Sequence, residues 1–253
     1  LLMTLHKKQS HGLQFDLNYT YSHSIDNISA PANQAFGSNG AGGIICDSIN
    51  IRACRGNSDF DVRHIITANW LYDLPFGKGK AFAGNAPGWL NEVIGGWQVS
   101  GIYTWHTGLA FQTVANSFPI SFANNVPAIF DGNDSAIKSS VHVDSSTGQV
   151  QLFANPANAL AAFSYPTGLE AGTRNNLRGP MYSNVDLGVA KHFPIHENMA
   201  FEFRADAFNA FNHPNFGLPG TAATADISAP GSFGVINSDA GPRVLQVALR
   251  FDF

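Results

Sequence analysis

Arg243-Val-Leu-Gln-Val-Ala-Leu-Arg-Phe-Asp-Phe253 is the stretch on which the fold turns. Leu245, Val247, Leu249, Phe251 and Phe253 alternate with Gln246, Ala248, Arg250 and Asp252. A period of two puts the apolar set on one face of an extended strand and the polar set on the other. About 9–11 residues is also the length with which a tilted strand crosses a bilayer.

The same alternation recurs upstream. Residues 1–8 set Leu1, Met3 and Leu5 against Thr4, His6 and Lys8, and turn at Gln9–Gly12. Residues 13–25 set Leu13, Phe15, Leu17, Tyr19 and Tyr21 against Gln14, Asp16, Asn18, Thr20 and Ser22. Residues 61–74, 96–107, 183–193 and 199–211 follow the rule, with Trp70, Trp97, Val185 and Phe203 among their apolar members. The segment 199–211 is rich in Ala, but a helix would scatter Glu202, Arg204 and Asp206 around its axis, whereas a strand aligns them on one face. With the closing segment this gives seven strands, and the expectation is an all-β antiparallel meander. The connections 9–12 and 194–198 are short; 26–60, 108–182 and 212–242 are long; 75–95 is intermediate.

Alternation also suits a soluble sandwich with its apolar side inward. Composition and ring placement argue for lipid instead. Charged residues make up 13% of the chain, about half the ~25% usual for soluble domains, while aromatics reach 12% with 20 Phe. No apolar run approaches the ~18 residues of a membrane-spanning helix. With short turns on the periplasmic side, Phe15, Trp70, Tyr72, Trp97, Phe201, Phe251 and Phe253 fall near the periplasmic ends and Tyr21, Tyr103, Trp105 and Phe211 near the outer ends. Two aromatic belts mark the two interfaces of a transmembrane barrel. A net charge of −4 gives no basic footprint for nucleic acid.

The closing strand, ending on Leu249, Phe251 and Phe253, resembles the terminal strand that the barrel-assembly machinery reads in outer-membrane proteins. Several further stretches are similar to the barrel region of TonB-dependent outer-membrane receptors of the Oar-like type, which carry a carboxypeptidase-regulatory-like domain. These are Tyr19-Thr-Tyr-Ser-His-Ser-Ile-Asp26, Ser58-Asp-Phe-Asp-Val-Arg-His64, Tyr72-Asp-Leu-Pro-Phe-Gly77, Gly95-Gly-Trp-Gln-Val-Ser-Gly101, Asn176-Leu-Arg-Gly-Pro180, Phe203-Arg-Ala-Asp-Ala-Phe-Asn-Ala-Phe-Asn-His-Pro-Asn-Phe216 and Gly241-Pro-Arg-Val-Leu-Gln-Val-Ala-Leu-Arg-Phe251. The resemblance implies residence in the bacterial outer membrane, in contact with its lipid. It also implies a barrel of about twenty-two strands around a plug that couples to the inner-membrane TonB complex. No plug or regulatory domain is legible in residues 1–253, no signal peptide is visible in the first residues, and seven strands do not close an even-stranded barrel. The expectation is a C-terminal barrel segment lacking plug and earlier strands, serving nutrient import or binding. Its rivals are a plug-less porin or adhesin and, further off, a secreted soluble glycan-binding β-domain.

No catalytic, metal-binding or cofactor constellation stands out. Gly77-Lys-Gly-Lys80 fits neither phosphate-binding fingerprint, no helix signal follows it, and it reads as a turn. Cys46 and Cys54, in one exported loop, read as a disulfide in preference to free thiols or a metal site, and closing that loop is worth about 2–3 kcal/mol. Asp186, Glu202, Arg204, Asp206, Arg250 and Asp252 are the charged members of the polar strand faces, expected to line the lumen. They read either as a mutually paired, hydrated surface or as a patch touching plug or substrate; the paired surface is the simpler reading. A water-filled lumen does not shift carboxylate pKa values as acid–base catalysis needs, so the chain is not read as an enzyme.

Overall fold

The computed structural model describes residues 1–27, 29, 50–115, 126–167, 172–196, 199–219 and 224–253. Its main sheet has seven strands lying side by side in the order in which the chain makes them. They are β1 (Leu2–Ser10), β2 (Leu13–Tyr21), β3 (His64–Asp73), β4 (Trp97–His106), β5 (Tyr182–His196), β6 (Met199–Phe208) and β7 (Val244–Asp252). Every neighbouring pair is antiparallel, so the meander has no crossover. The segment 199–211 is a strand through Phe208, as its charge alignment predicts.

Local chemistry explains the joints. His11 and Gly12, at φ 53° and 79°, make the two-residue turn between β1 and β2, with Ser10 facing Leu13 across it. Positive φ at both central positions matches the twist of the flanking strands. At the opposite end of β6, Asn209 and Asn212 take φ near 50°, a region Asn tolerates better than most residues. The Asn209 side chain accepts from His213 N at 2.9 Å, and Asn212 accepts from Arg243 N at 2.9 Å, hooking the turn onto the start of β7.

Registers carry the two faces across the whole sheet. One row runs Leu5, Leu17, Ala68, Tyr103, Val185; the next runs His6, Asp16, Asn69, Ile102, Asp186. Thus Phe15, Trp70, Trp97, Phe203, Leu249 and Phe251 share one face, and Asp16, Asn69, Glu202, Arg204 and Arg250 share the other. Ile102 breaks the pattern on the polar side. Lys191 breaks it on the apolar side, where its ammonium donates to the Gly95 carbonyl and lies 4.7 Å from the Phe193 ring centroid and 5.6 Å from that of Trp97. The aliphatic stem thus covers apolar surface while the charge reaches backbone oxygen and ring faces near the strand end. Glycine has a specific use on this face. Trp70 faces Gly101 in register, and a Cβ on Gly101 would lie 2.1 Å from the indole. Gly101→Leu is therefore expected to unseat Trp70 and cost about 1–3 kcal/mol, read as a shift in Trp emission and a lower unfolding midpoint. Gly88→Ala, with nothing within 4 Å of its Cβ and no positive φ, serves as a control for the indole contact.

The hydrophobic core does not lie under this sheet. Among the described residues, no apolar side chain of β1–β7 is fully buried, apart from Cβ-less glycines. Leu245, Val247 and Leu249 stand more than 60% exposed. A soluble sandwich would cover such a face with a second sheet; among the described residues no second sheet covers it.

The core lies in the long connections at the end of the sheet opposite the short turns. Phe111, Leu152, Phe153, Phe163 and Leu177 from residues 108–182 pack with Ala225, Ile227, Phe233 and Ile236 from residues 212–242. The rings of Phe153 and Phe233 stack at 5.5 Å, and Phe163 joins them at 6.2 Å from Phe233. Each fully buried ring contributes about 1.5–3 kcal/mol. Short strands frame this core. Ala110–Ala115 pairs with Leu177–Arg178, with Val126–Pro127 and, in parallel, with Thr224–Asp226. Ser139–Val143, Val150–Phe153 and Val235–Ile236 form a second small sheet. The sequence reading treated these connections as loops. It also saw no helix signal after Lys80, whereas Gly88–Ile94 is a helix (α1) and Pro156–Leu160 is another (α2). Both are too short to show a 3.6-residue period, and α2 starts from an Asn155 side chain capping Asn158 N at 3.0 Å.

Candidate functional site

The six charged residues expected on the lumen side share one face of β5–β7 by register, and five of them make local hydrogen bonds or ion pairs. Arg204 Nε donates to Asp206 Oδ2 at 2.8 Å, and Arg250 Nε to Asp252 Oδ1 at 2.8 Å. Glu202 faces Arg250 and His192 across the neighbouring strands. Asp186 accepts from Asn184 Nδ2 and from Asn209 N, both at 2.9 Å, which ties it to the turn after β6 rather than to the other charges. Near the short turns the same face has a recess of about 420 Å³, lined in part by Asp73, Lys80, Gln98, His192 and Glu202. Pairing between positions two apart on one strand leaves these side chains exposed and hydrated, and such exposed pairs add little stability.

A denser cluster, which the sequence reading did not assign, lies where the connections leave the strands. The Asp61 side chain is fully buried and accepts from three donors. They are Arg63 Nε at 2.9 Å, Ser24 N at 2.6 Å, and Arg178 Nη2 at the same carboxylate oxygen as Arg63. Arg178 also donates to the Asp61 carbonyl at 2.7 Å. Burial by itself raises the Asp61 pKa; hydrogen bonds from Arg178, Ser24 and Arg63 outweigh it and hold the carboxyl below its ordinary value. Beside it Arg174, 4% exposed, pairs with Asp26 and reaches Asp59 Oδ1 at 3.1 Å. Asn57 and Asn175 exchange side-chain to backbone hydrogen bonds at 2.8 and 2.7 Å. Burial raises the Asp26 pKa too, and Ser29, Ser58 and Arg174 bring it below its usual value.

The cluster thus locks the first long connection to the second, and the hydrophobic core locks the second to the third. All three form one cap over one end of the sheet. The signal was present in the sequence as Asp and Arg amid Gly- and Asn-rich segments. Nothing in local spacing, however, says that Asp61 and Arg178, 117 positions apart, meet.

Cys54 is buried at the end of a 3₁₀ turn (Ile51–Cys54) and is disulfide-bonded. Cys46, its expected partner, lies outside the described residues. Unreduced, denatured protein is expected to resist thiol alkylation at both cysteines, and complete labelling without reductant would exclude the pair. Among the described residues no group of three His, Cys, Asp or Glu is placed to hold a metal ion, and no helix is long and apolar enough to cross a membrane.

A seven-stranded antiparallel meander with one bare apolar face, one charged face and a folded cap at one end is the architecture of a barrel wall. The family model described as outer membrane beta barrel domain matches residues 1–246. The chain belongs to this family of outer membrane β-barrels. No curated protein and no solved structure gave a match. Membership places this outer membrane barrel in the bacterial outer membrane, with its strands forming part of the barrel wall. In such a wall the bare apolar face of β1–β7 is the one suited to lipid. Leu249 and Phe251 lie on that face of β7, and Phe253 extends beyond it with its ring stacked on Phe251 at 6.0 Å.

Proposed function

We propose that this outer membrane barrel is the C-terminal part of an Oar-like TonB-dependent receptor that captures a nutrient at its cap and passes it inward along the polar face. One observation carries the reading. Three of the stretches that resemble that family, 19–26, 58–64 and 176–180, converge on one buried cluster through Ser24, Asp26, Asp61, Arg63 and Arg178. Residues with no local reason to be charged are thereby explained as parts of one device that fixes the outer cap.

In this reading the short turns face the periplasm and the cap faces outward. Neither β1 nor β7 has a partner on its outer side among the described residues. Lipid leaves an open edge unsatisfied at several kcal/mol per exposed backbone group, so further strands complete the wall. A plug inside it meets the recess lined by Asp73, Lys80 and Glu202 and couples to the TonB complex. The assembly machinery engages Leu249, Phe251 and Phe253. The hydrated, paired carboxylates of the polar face suit passage rather than catalysis.

The test is growth of cells carrying the full parent protein on a limiting ferric siderophore, oligosaccharide or peptide. Uptake that stops when TonB is deleted or the inner-membrane proton gradient is collapsed is the expected result. Uptake of small solutes that persists in de-energised cells would move the assignment to a plug-less porin.

A further inference from the structure

On the lipid-facing side, where the β1–β2 turn meets β3 and β4, the wall has a groove of about 470 Å³. Its floor is Leu13, Trp70, Tyr72 and Val99, with Leu13, Tyr72 and Val99 aligned in register across three strands. Its rim at the turn is Lys7 and His11. The Lys7 ammonium is held there by donating to the Ser10 and Leu13 carbonyls at 3.2 and 3.3 Å. No ion pair among the described residues involves it.

We infer that this groove holds one anionic glycerophospholipid, acyl chain on the Trp70–Tyr72–Val99 floor and phosphate against Lys7. The inference rests on the reading that the short-turn end faces the periplasm, where the adjoining leaflet supplies phospholipid. Three physical facts select this occupant. The floor is apolar and lies on the face that lipid covers, so an acyl chain is the available filler. The sole cation at its mouth lacks a carboxylate partner, so its charge is complemented from outside the protein. And the ammonium sits at the turn, the level at which a headgroup lies when its chain runs up the strands. Volumes of this size accommodate part of a drug-sized molecule, enough for one chain and its glycerol.

Brominated acyl chains quench a neighbouring indole, and Trp70 reports on the groove. The full-length protein and its Trp70→Phe variant are reconstituted in vesicles containing increasing fractions of dibrominated phosphatidylglycerol or dibrominated phosphatidylcholine. The difference between the two proteins gives the Trp70 component. One basic residue facing an anionic lipid supports a preference of roughly five-fold. Trp70 is expected to reach half-quenching at about that much lower fraction of phosphatidylglycerol, with Lys7→Ala erasing the preference and Lys7→Arg keeping it. Equal quenching by both lipids overturns the site while leaving the lipid-facing assignment intact. Absence of quenching by either lipid overturns that assignment as well. Should Lys7→Ala fail to assemble, the wild-type protein decides the matter in about 1 M salt, where the screening length is ~3 Å. A preference that survives such salt does not come from Lys7.

Discussion

Leu249→Arg is expected to cripple assembly while Glu202→Gln passes almost unnoticed. Leu249 lies near the middle of β7 on the bare apolar face, 64% exposed and opposite Phe203. An arginine there places a guanidinium in hydrocarbon, at a cost of about 2–4 kcal/mol near the bilayer midplane. Glu202 lies in the next strand on the opposite face, where water remains available and the change keeps shape and hydrogen-bonding capacity. Heat-modifiable mobility of the assembled barrel on gels and protease resistance in outer-membrane fractions measure both. Equal tolerance of the two changes would sink the assignment of the two faces.

Asp61→Ala is expected to loosen the cap by about 3 kcal/mol. Removing one partner from a buried ion cluster strands the others, and costs of about 3–5 kcal/mol follow when they stay buried. Arg63 and Arg178 are each roughly 30% exposed, so part of their charge recovers hydration and the lower end applies. The same carboxylate gives the cap an acid limit. Its folded pKa lies below the unfolded value of 3.8, so its contribution is present above 3.8 and lost as pH falls through the lower folded value. Asp26 adds in the same direction. Hydrogen exchange at residues 56–63 and 172–178 should quicken in the variant at neutral pH, and in the wild type only in acid. Unchanged exchange in both cases would reduce the cluster to decoration.

The wall was legible residue by residue because a bilayer imposes a two-residue period on every strand that crosses it. Apart from exceptions such as Ile102, Lys7 and Lys191, the seven strands keep their polar and apolar sets apart, and neighbours register without a crossover, so local reading sufficed. The cap was not legible, for the opposite reason. Its strands are two to six residues long, several are buried on both faces, and Ala110–Ala115 finds one of its partners at Thr224–Asp226. No period survives in such pieces, and contacts over a hundred positions apart leave no local trace. The six charges expected on the lumen side share one face by register, yet the pairing of Arg204 with Asp206 and of Arg250 with Asp252 along β6 and β7 depended on side-chain directions that spacing alone does not supply.

The division of the cap's core between two connections sets a timetable for biogenesis. Residues 108–182 carry Phe111, Phe153 and Phe163, while Phe233 and Ile236, which close over them, come only after the β5–β6 hairpin. During export the earlier connection is thus half a core, with greasy rings and unpaired strand edges waiting for sequence still to arrive. Non-local contacts of this kind form slowly and expose sticky surface in the interval. The cap therefore matures late, after residues 233–236 have arrived and the wall beneath it has begun to form.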